Sequence, residues 1–230
     1  MTDIGNFVTD VCHHNETSIA QAAQLIVDTS RRGALVYSAG AGHSLAAVLE
    51  TFFRAGGLAF VRPLWHPRIL PLNGARAATE AEREPGLGRD TARASEMGQD
   101  DTVVVFSTSG INPYPVEIAE YARENGADVI AITSIVASAS APLRARRRLM
   151  DLATVVLDTQ VVPGDVSWPI GAPVTAPLSS LANTALWTAI LRTAHTLEPN
   201  LARWRSANVD GTDGFNRELE ARYGRMIPEL

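Results

Sequence analysis

The sequence predicts an α/β fold, a three-layer α-β-α sandwich built on a five-stranded parallel sheet. Short apolar runs rich in valine and isoleucine recur along the chain, and helical patterns separate them. Two of those runs end in glycine- and serine-bearing loops that pass directly into helical periodicity, the sign of a strand, loop and helix unit used twice. The chain has 230 residues, 46% of them hydrophobic, and no low-complexity tract, so residues 1–230 are expected to bury one core as a single domain.

The elements follow in order. Ile4, Val8, Ile19, Ala22, Ala23, Leu25 and Ile26 recur at helical intervals, so residues 3–32 read as one or two helices ahead of the first strand. The apolar run 34–38 is a strand, 39–44 a tight loop and 45–54 a helix. A second strand is expected over 58–62. Residues 63–93 carry much Pro, Gly and Arg without a firm period, long for a plain connector and therefore a candidate functional segment. Then come a buried strand at 102–106, a polar loop at 107–112, a helix at 113–125 and a strand at 128–133. A fifth strand is expected at 153–157, and a long helix over 178–197 from Leu181, Ala185, Leu186, Ala189 and Ile190.

Composition narrows the function. Charged residues make up 20% and the formal net charge is -5, with a sequence pI of about 5.5. That balance argues against a nucleic-acid surface or a basic membrane patch, and leaves small molecules or proteins as partners. A single cysteine, Cys12, can neither staple the chain nor build a thiolate metal site, which fits a reducing compartment. The first residues lack a basic stretch followed by an apolar run, and no later segment reaches membrane-spanning length, so a cytoplasmic location is expected. Every Lys/Arg position is arginine; without lysine, neither Schiff-base chemistry nor a Walker-type phosphate site is possible.

Chemistry is concentrated in two loops. Ser107-Thr108-Ser109-Gly110-Ile111-Asn112 precedes a helix whose first position is Pro113, where a missing amide proton costs nothing. Free amides and the positive end of a helix dipole favour a dianionic phosphate, and Ser107, Thr108, Ser109 and Asn112 add side-chain donors. Simple capping of the helix by Ser109 or Asn112 is the competing reading. The second loop, Ala39-Gly40-Ala41-Gly42-His43-Ser44, also leaves a strand end, so both should open on one edge of the sheet, where ligands of open α/β sheets bind.

The Gly-x-Gly-His-Ser loop, the Ser-x-Ser-Gly loop and the helix-first order resemble the SIS (sugar isomerase) family, with its flavodoxin- or Rossmann-like sheet. The similarity is greatest to a bacterial group of phosphosugar-binding SIS proteins, and includes Phe53-Arg54-Ala55-Gly56-Gly57-Leu58-Ala59 and Ser206-Ala207-Asn208-Val209-Asp210-Gly211. N-acetylmuramic acid 6-phosphate etherases are more distantly similar. By this resemblance, Ser107, Thr108, Ser109, Gly110 and Asn112 hold the phosphate of a phosphorylated amino sugar, while Gly42 and Ser44 contact the sugar. It also implies a homodimer or homotetramer, with the tail 198–230 as lid or subunit contact.

Reactions of this fold begin with removal of the proton on carbon 2, which requires a carboxylate or histidine. Glu50 lies seven residues beyond His43, two helical turns, so both are expected to face the crevice, with Glu50 as base. An ion pair with Arg54 is the alternative for Glu50. The segment 79–86 resembles the etherase region that supplies a second acidic group, which assigns Glu82 to the leaving group; a solvated helix start is its alternative. Elimination of water or a carbon-3 ether substituent from an N-acetylamino sugar 6-phosphate, such as N-acetylglucosamine 6-phosphate, is the favoured reaction. Aldose-ketose isomerisation and non-catalytic sensing follow. The chemistry asks for no redox cofactor or metal.

Other residues are read against these. His66 can reach the site from the long segment, while His13, His14 and His195 sit in helical patterns, and no histidine spacing suggests a metal. Asn208, Asp210 and Asp213 lack the register of a calcium loop. Arg144, Arg146, Arg147 and Arg148 read as a solvated connector. Gly40-Ala41-Gly42 lacks the third glycine of a dinucleotide site. Ser44 with Asp165 and His195 follows hydrolase-triad order, yet Ala46 replaces the last elbow glycine and too few strands precede Ser44.

Overall fold

A computed structural model describes residues 4–230; the start of the first helix, placed at Asp3 from the sequence, lies outside them. Five parallel strands form the sheet: β1 (Val36–Gly40), β2 (Val61–Leu64), β3 (Thr102–Phe106), β4 (Asp128–Thr133) and β5 (Val155–Asp158), in the order β2-β1-β3-β4-β5. The helices are α1 (Ile4–His14), α2 (Glu16–Arg31), α3 (Leu45–Thr51), α4 (Ala75–Glu82), α5 (Leu87–Arg93), α6 (Pro113–Glu124), α7 (Ile135–Ser140), α8 (Ser179–Leu197) and α9 (Asp213–Tyr223). Helices α2, α3 and α8 pack together on one face, and α4, α5 and α6 on the other, which gives the expected three layers.

Strands β1 and β3 are buried at every position, as sheets covered on both faces require. Phe60, Phe106, Ile26, Ile118 and Trp187 anchor the core between the layers, each side chain contributing roughly 1.5–3 kcal/mol by its burial. Polar groups that enter this interior are paired. The Thr29 and Thr102 hydroxyls meet at 2.7 Å. Asn15, 3% exposed, stands between α1 and α2; its amide donates to the carbonyls of Val11 (2.7 Å) and Asp158 (2.8 Å), and its oxygen accepts from the Asp158 amide at 2.7 Å. One side chain thereby fixes the helical start of the chain to the end of β5.

Several sequence expectations change. The second strand begins at Val61 instead of residue 58, because the tail takes the preceding backbone: the Gly56 and Ala59 amides donate to Trp204 and Ala202, and the Trp204 amide donates to Gly57. The same tail packs Trp204, Leu219, Tyr223 and Ile227 into the core. Residues 63–93, read as aperiodic, contain α4 and α5, whose buried faces are made of Ala78, Ala81, Gly88 and Ala92; such small residues allow close packing but give a weak periodic signal. The arginine connector is not wholly solvated. Arg148 donates to the carbonyls of Ser138, Ala139 and Ala141, satisfying the carboxyl end of α7, and Arg144 is engaged at the loop described next.

Candidate functional site

Gly40 and Phe106, the last residues of β1 and β3, are paired in register. The loops that leave them therefore emerge side by side at the carboxyl edge of the sheet, where such folds bind ligands. The first loop doubles back in a 3-10 turn, Gly42–Ser44, before α3. A Cβ on Gly40 would stand 3.0 Å from both the Cβ and the carbonyl oxygen of Ser44, so a larger residue there would force the turn to give by a few tenths of an ångström.

The second loop is pinned from beneath. The Thr108 carbonyl accepts from the Thr133 hydroxyl (3.2 Å) and the Ser134 amide (2.9 Å), and the Ser107 hydroxyl accepts from the Gly110 amide at 3.2 Å. Gly110 has φ 57°, and a Cβ there would lie 3.1 Å from Leu149 and Thr133. The amides of Thr108, Ser109, Ile111 and Asn112 have no acceptor among the described residues, so they are available to an anion. Helix α6 itself supplies less than the sequence suggested, since Pro113 and Pro115 both lack an amide proton in its first turn. The cradle is thus mainly loop backbone.

Asn112 makes no capping bond, so the capping alternative does not hold for it. Its Nδ2 donates to Glu82 Oε1 at 2.5 Å, and its Oδ1 accepts from Arg144 Nη1 at 3.0 Å. One Nδ2 hydrogen and one Oδ1 lone pair are used in this way, which fixes the amide beside the Glu82 carboxylate. Glu82, at the last position of α4, lies over the first loop as well, with Oε2 3.8 Å from where a Gly42 Cβ would sit.

These parts enclose a cleft of two adjoining lobes, about 320 and 430 Å³, which share Ser44, Glu82, Thr108 and Asp165 as walls. Gly42 and His43 line the first lobe, Ser107 and Ser109 the second. Glu50 lines neither. It pairs with Arg54 at 2.8 Å, the alternative weighed from the sequence. His66 lies outside as well, capping a 3-10 turn through Nδ1, which accepts from the Arg68 amide at 3.1 Å. Ser44, Asp165 and His195 do not converge: Asp165 accepts from the Leu178 and Ser179 amides and the Ser179 hydroxyl, while His195 lines a separate groove with Cys12 and His13. In that groove, hydrogen bonding to Glu16 raises the His13 pKa, and burial raises that of Cys12.

Sequence reasoning missed Asn183 and Ser180 as cleft residues and weighed Asp165 as a triad member, not as the group that accepts the first amides of α8. Asn183 sits beside the buried stripe Ala182, Leu186 and Ile190, and a polar residue in such a stripe is the signal that could have revealed it.

Paired strand-end loops over a common cleft are the mark of an open α/β ligand-binding domain, and the family model described as SIS domain matches residues 1–134. A UPF0309 protein from Geobacillus kaustophilus is 32% identical over 230 residues, covering 96% of this chain and 91% of its own. Another, from Brucella canis, is 35% identical over 215 residues, covering 91% and 88%. The chain belongs to the SIS-domain family, among its UPF0309 proteins. A solved phosphoheptose isomerase from Neisseria gonorrhoeae is similar with a TM-score of 0.54 at 18% identity, covering 84% of this chain and 93% of its own. The Vibrio vulnificus NanR protein complexed with ManNAc-6P gives 0.52 at 13%, covering 99% and 69%. At these identities the likeness is one of fold.

Proposed function

We propose that the cleft binds an amino sugar 6-phosphate and that the protein eliminates its carbon-3 substituent. The observation that carries this reading is the position of Glu82, a carboxylate fixed between the glycine loop and an amide-rich loop suited to a dianion. Phosphate rests on Ser107, Thr108, Ser109 and Gly110, and Gly42 and Ser44 meet the sugar. Glu82 takes the base role expected of Glu50, because Glu82 lines the cleft and Glu50 does not. It removes the proton on carbon 2 of the open-chain aldehyde; the electron pair forms the carbon 2–carbon 3 double bond as the carbon-3 oxygen leaves, protonated by His43. The ligand class is supported by the neighbours of similar fold, a phosphoheptose isomerase and a protein complexed with ManNAc-6P. A homodimer or homotetramer is part of the proposal, and sedimentation would establish which.

Proton NMR with N-acetylglucosamine 6-phosphate in deuterated water tests it. Loss of the carbon-2 proton with an unsaturated aldehyde product supports elimination. A ketose product would replace it with isomerisation, and saturable binding without exchange would leave a sensor. Glu82→Gln should abolish exchange while binding persists; Ser109→Ala should weaken binding.

A further inference from the structure

Asn183 is 3% exposed, it lines the first lobe of the cleft, and its side-chain amide has no hydrogen-bond partner among the described residues. Every other buried amide side chain here is committed: Asn15 to Val11 and Asp158, Asn112 to Glu82 and Arg144. An amide almost wholly enclosed by protein, without a protein partner among the described residues and open only onto the cleft, presents its donor and acceptor to whatever fills that cleft. Its neighbours define that ligand. Ser180 stands at the second position of α8 on the same wall, and Pro71, Ala75 and Ala78 form a small apolar surface in the same lobe.

A hydroxyl group would use the polar atoms and leave the apolar surface idle. A secondary amide uses all of them. Its trans geometry puts C=O and N–H on opposite edges, so Asn183 Nδ2 donates to the carbonyl, the Ser180 hydroxyl accepts from the N–H, and a methyl group covers Pro71, Ala75 and Ala78. We infer that Asn183, Ser180 and this apolar surface form an acetamido subsite that reads the carbon-2 substituent of the sugar. The inference rests on the cleft being a sugar-phosphate site and adds what distinguishes one sugar phosphate from another.

Calorimetry with N-acetylglucosamine 6-phosphate and glucose 6-phosphate tests it, using the full chain. Wild type should bind the acetamido sugar about tenfold more tightly, the size expected of one to two neutral hydrogen bonds in a cleft. Asn183→Ala should erase that preference by weakening the acetamido sugar alone, with glucose 6-phosphate held within about twofold, whereas Ser109→Ala should weaken both sugars equally. Equal affinity of wild type for the two sugars would overturn the subsite and leave the sugar-phosphate reading standing; this arm needs no variant to fold. An undiminished preference in Asn183→Ala would also overturn it. Failure of the wild type to bind either sugar would remove the reading itself, and the subsite with it.

Discussion

Gly88 is where α5 touches α6, and replacing it with alanine tests whether that contact holds up the acidic side of the cleft. A Cβ at Gly88 would stand 2.2 Å from the Tyr114 carbonyl oxygen and 2.9 Å from its Cα. Ordinary carbon contacts need about 3.5 Å, so the helices must separate by roughly 1 Å, and a gap of that size forfeits a quarter to a half of the dispersion attraction across it. The same shift stretches three bonds in which the Gly86, Gly88 and Arg89 amides donate to the Glu117 carboxylate, at 2.7, 3.1 and 3.2 Å. Overpacking against backbone costs about 1–3 kcal/mol, and the weakened cap on α5 adds about 1 kcal/mol. A loss near 3 kcal/mol corresponds to about 6–12 °C in Tm for a chain of this size. Gly98→Ala is the control: a Cβ there meets nothing within 4 Å, and it should be neutral or stabilise by a few tenths of a kcal/mol. Scanning calorimetry reads both. If Gly88→Ala melted within about 2 °C of the parent, the close approach of α5 and α6 would not be what supports this side of the sheet.

Further outcomes follow from single contacts. Asn15→Ala removes three hydrogen bonds and orphans the Asp158 amide and carbonyl; chemical denaturation should show a loss of about 2–4 kcal/mol without a change in slope. Asp165→Ala strips the cap from α8 and should cost about 1–2 kcal/mol in the same assay. Burial pushes the Tyr37 phenol from 10.0 up to about 12 and raises Tyr114 as well. The fold favours the neutral phenol, so Tyr37's contribution is complete below pH 10 and fades as pH rises toward 12, amounting to about 2–3 kcal/mol. Stability measured across that interval should fall less steeply in Tyr37→Phe; identical slopes would mean that Tyr37 ionises freely in the folded protein.

Much of the fold was legible because buried parallel strands announce themselves by composition. The strand at 102–106 and the strand at 128–133 appear with the predicted bounds, and the helix at 113–125 differs only in ending at Glu124. Helices α4, α5 and α9 were not legible. They bury only one or two side chains each, mostly alanine or glycine in α4 and α5 and just Leu219 and Tyr223 in α9, so period carries little information. At the site, backbone chemistry could be foreseen from the Ser-Thr-Ser-Gly spacing, but partner choice could not. Whether Asn112 faces an anion, an amide or a carboxylate depends on where α4 and Arg144 arrive, 30 and 32 residues away in sequence. Glu50, likewise, is held by Arg54 four residues on, a choice that spacing alone left open.

The cleft walls carry the carboxylates of Glu82 and Asp165 and, among the described residues, no arginine; under the proposed function the loop amides hold the phosphate. Dissolved ions compete poorly with fixed backbone dipoles, yet they do screen repulsion between carboxylates and a bound dianion over about 8 Å at physiological ionic strength. Adding salt should therefore leave sugar-phosphate affinity level or strengthen it slightly, opposite to a pocket lined with lysine or arginine. A titration in rising sodium chloride would distinguish the two kinds of pocket by sign alone.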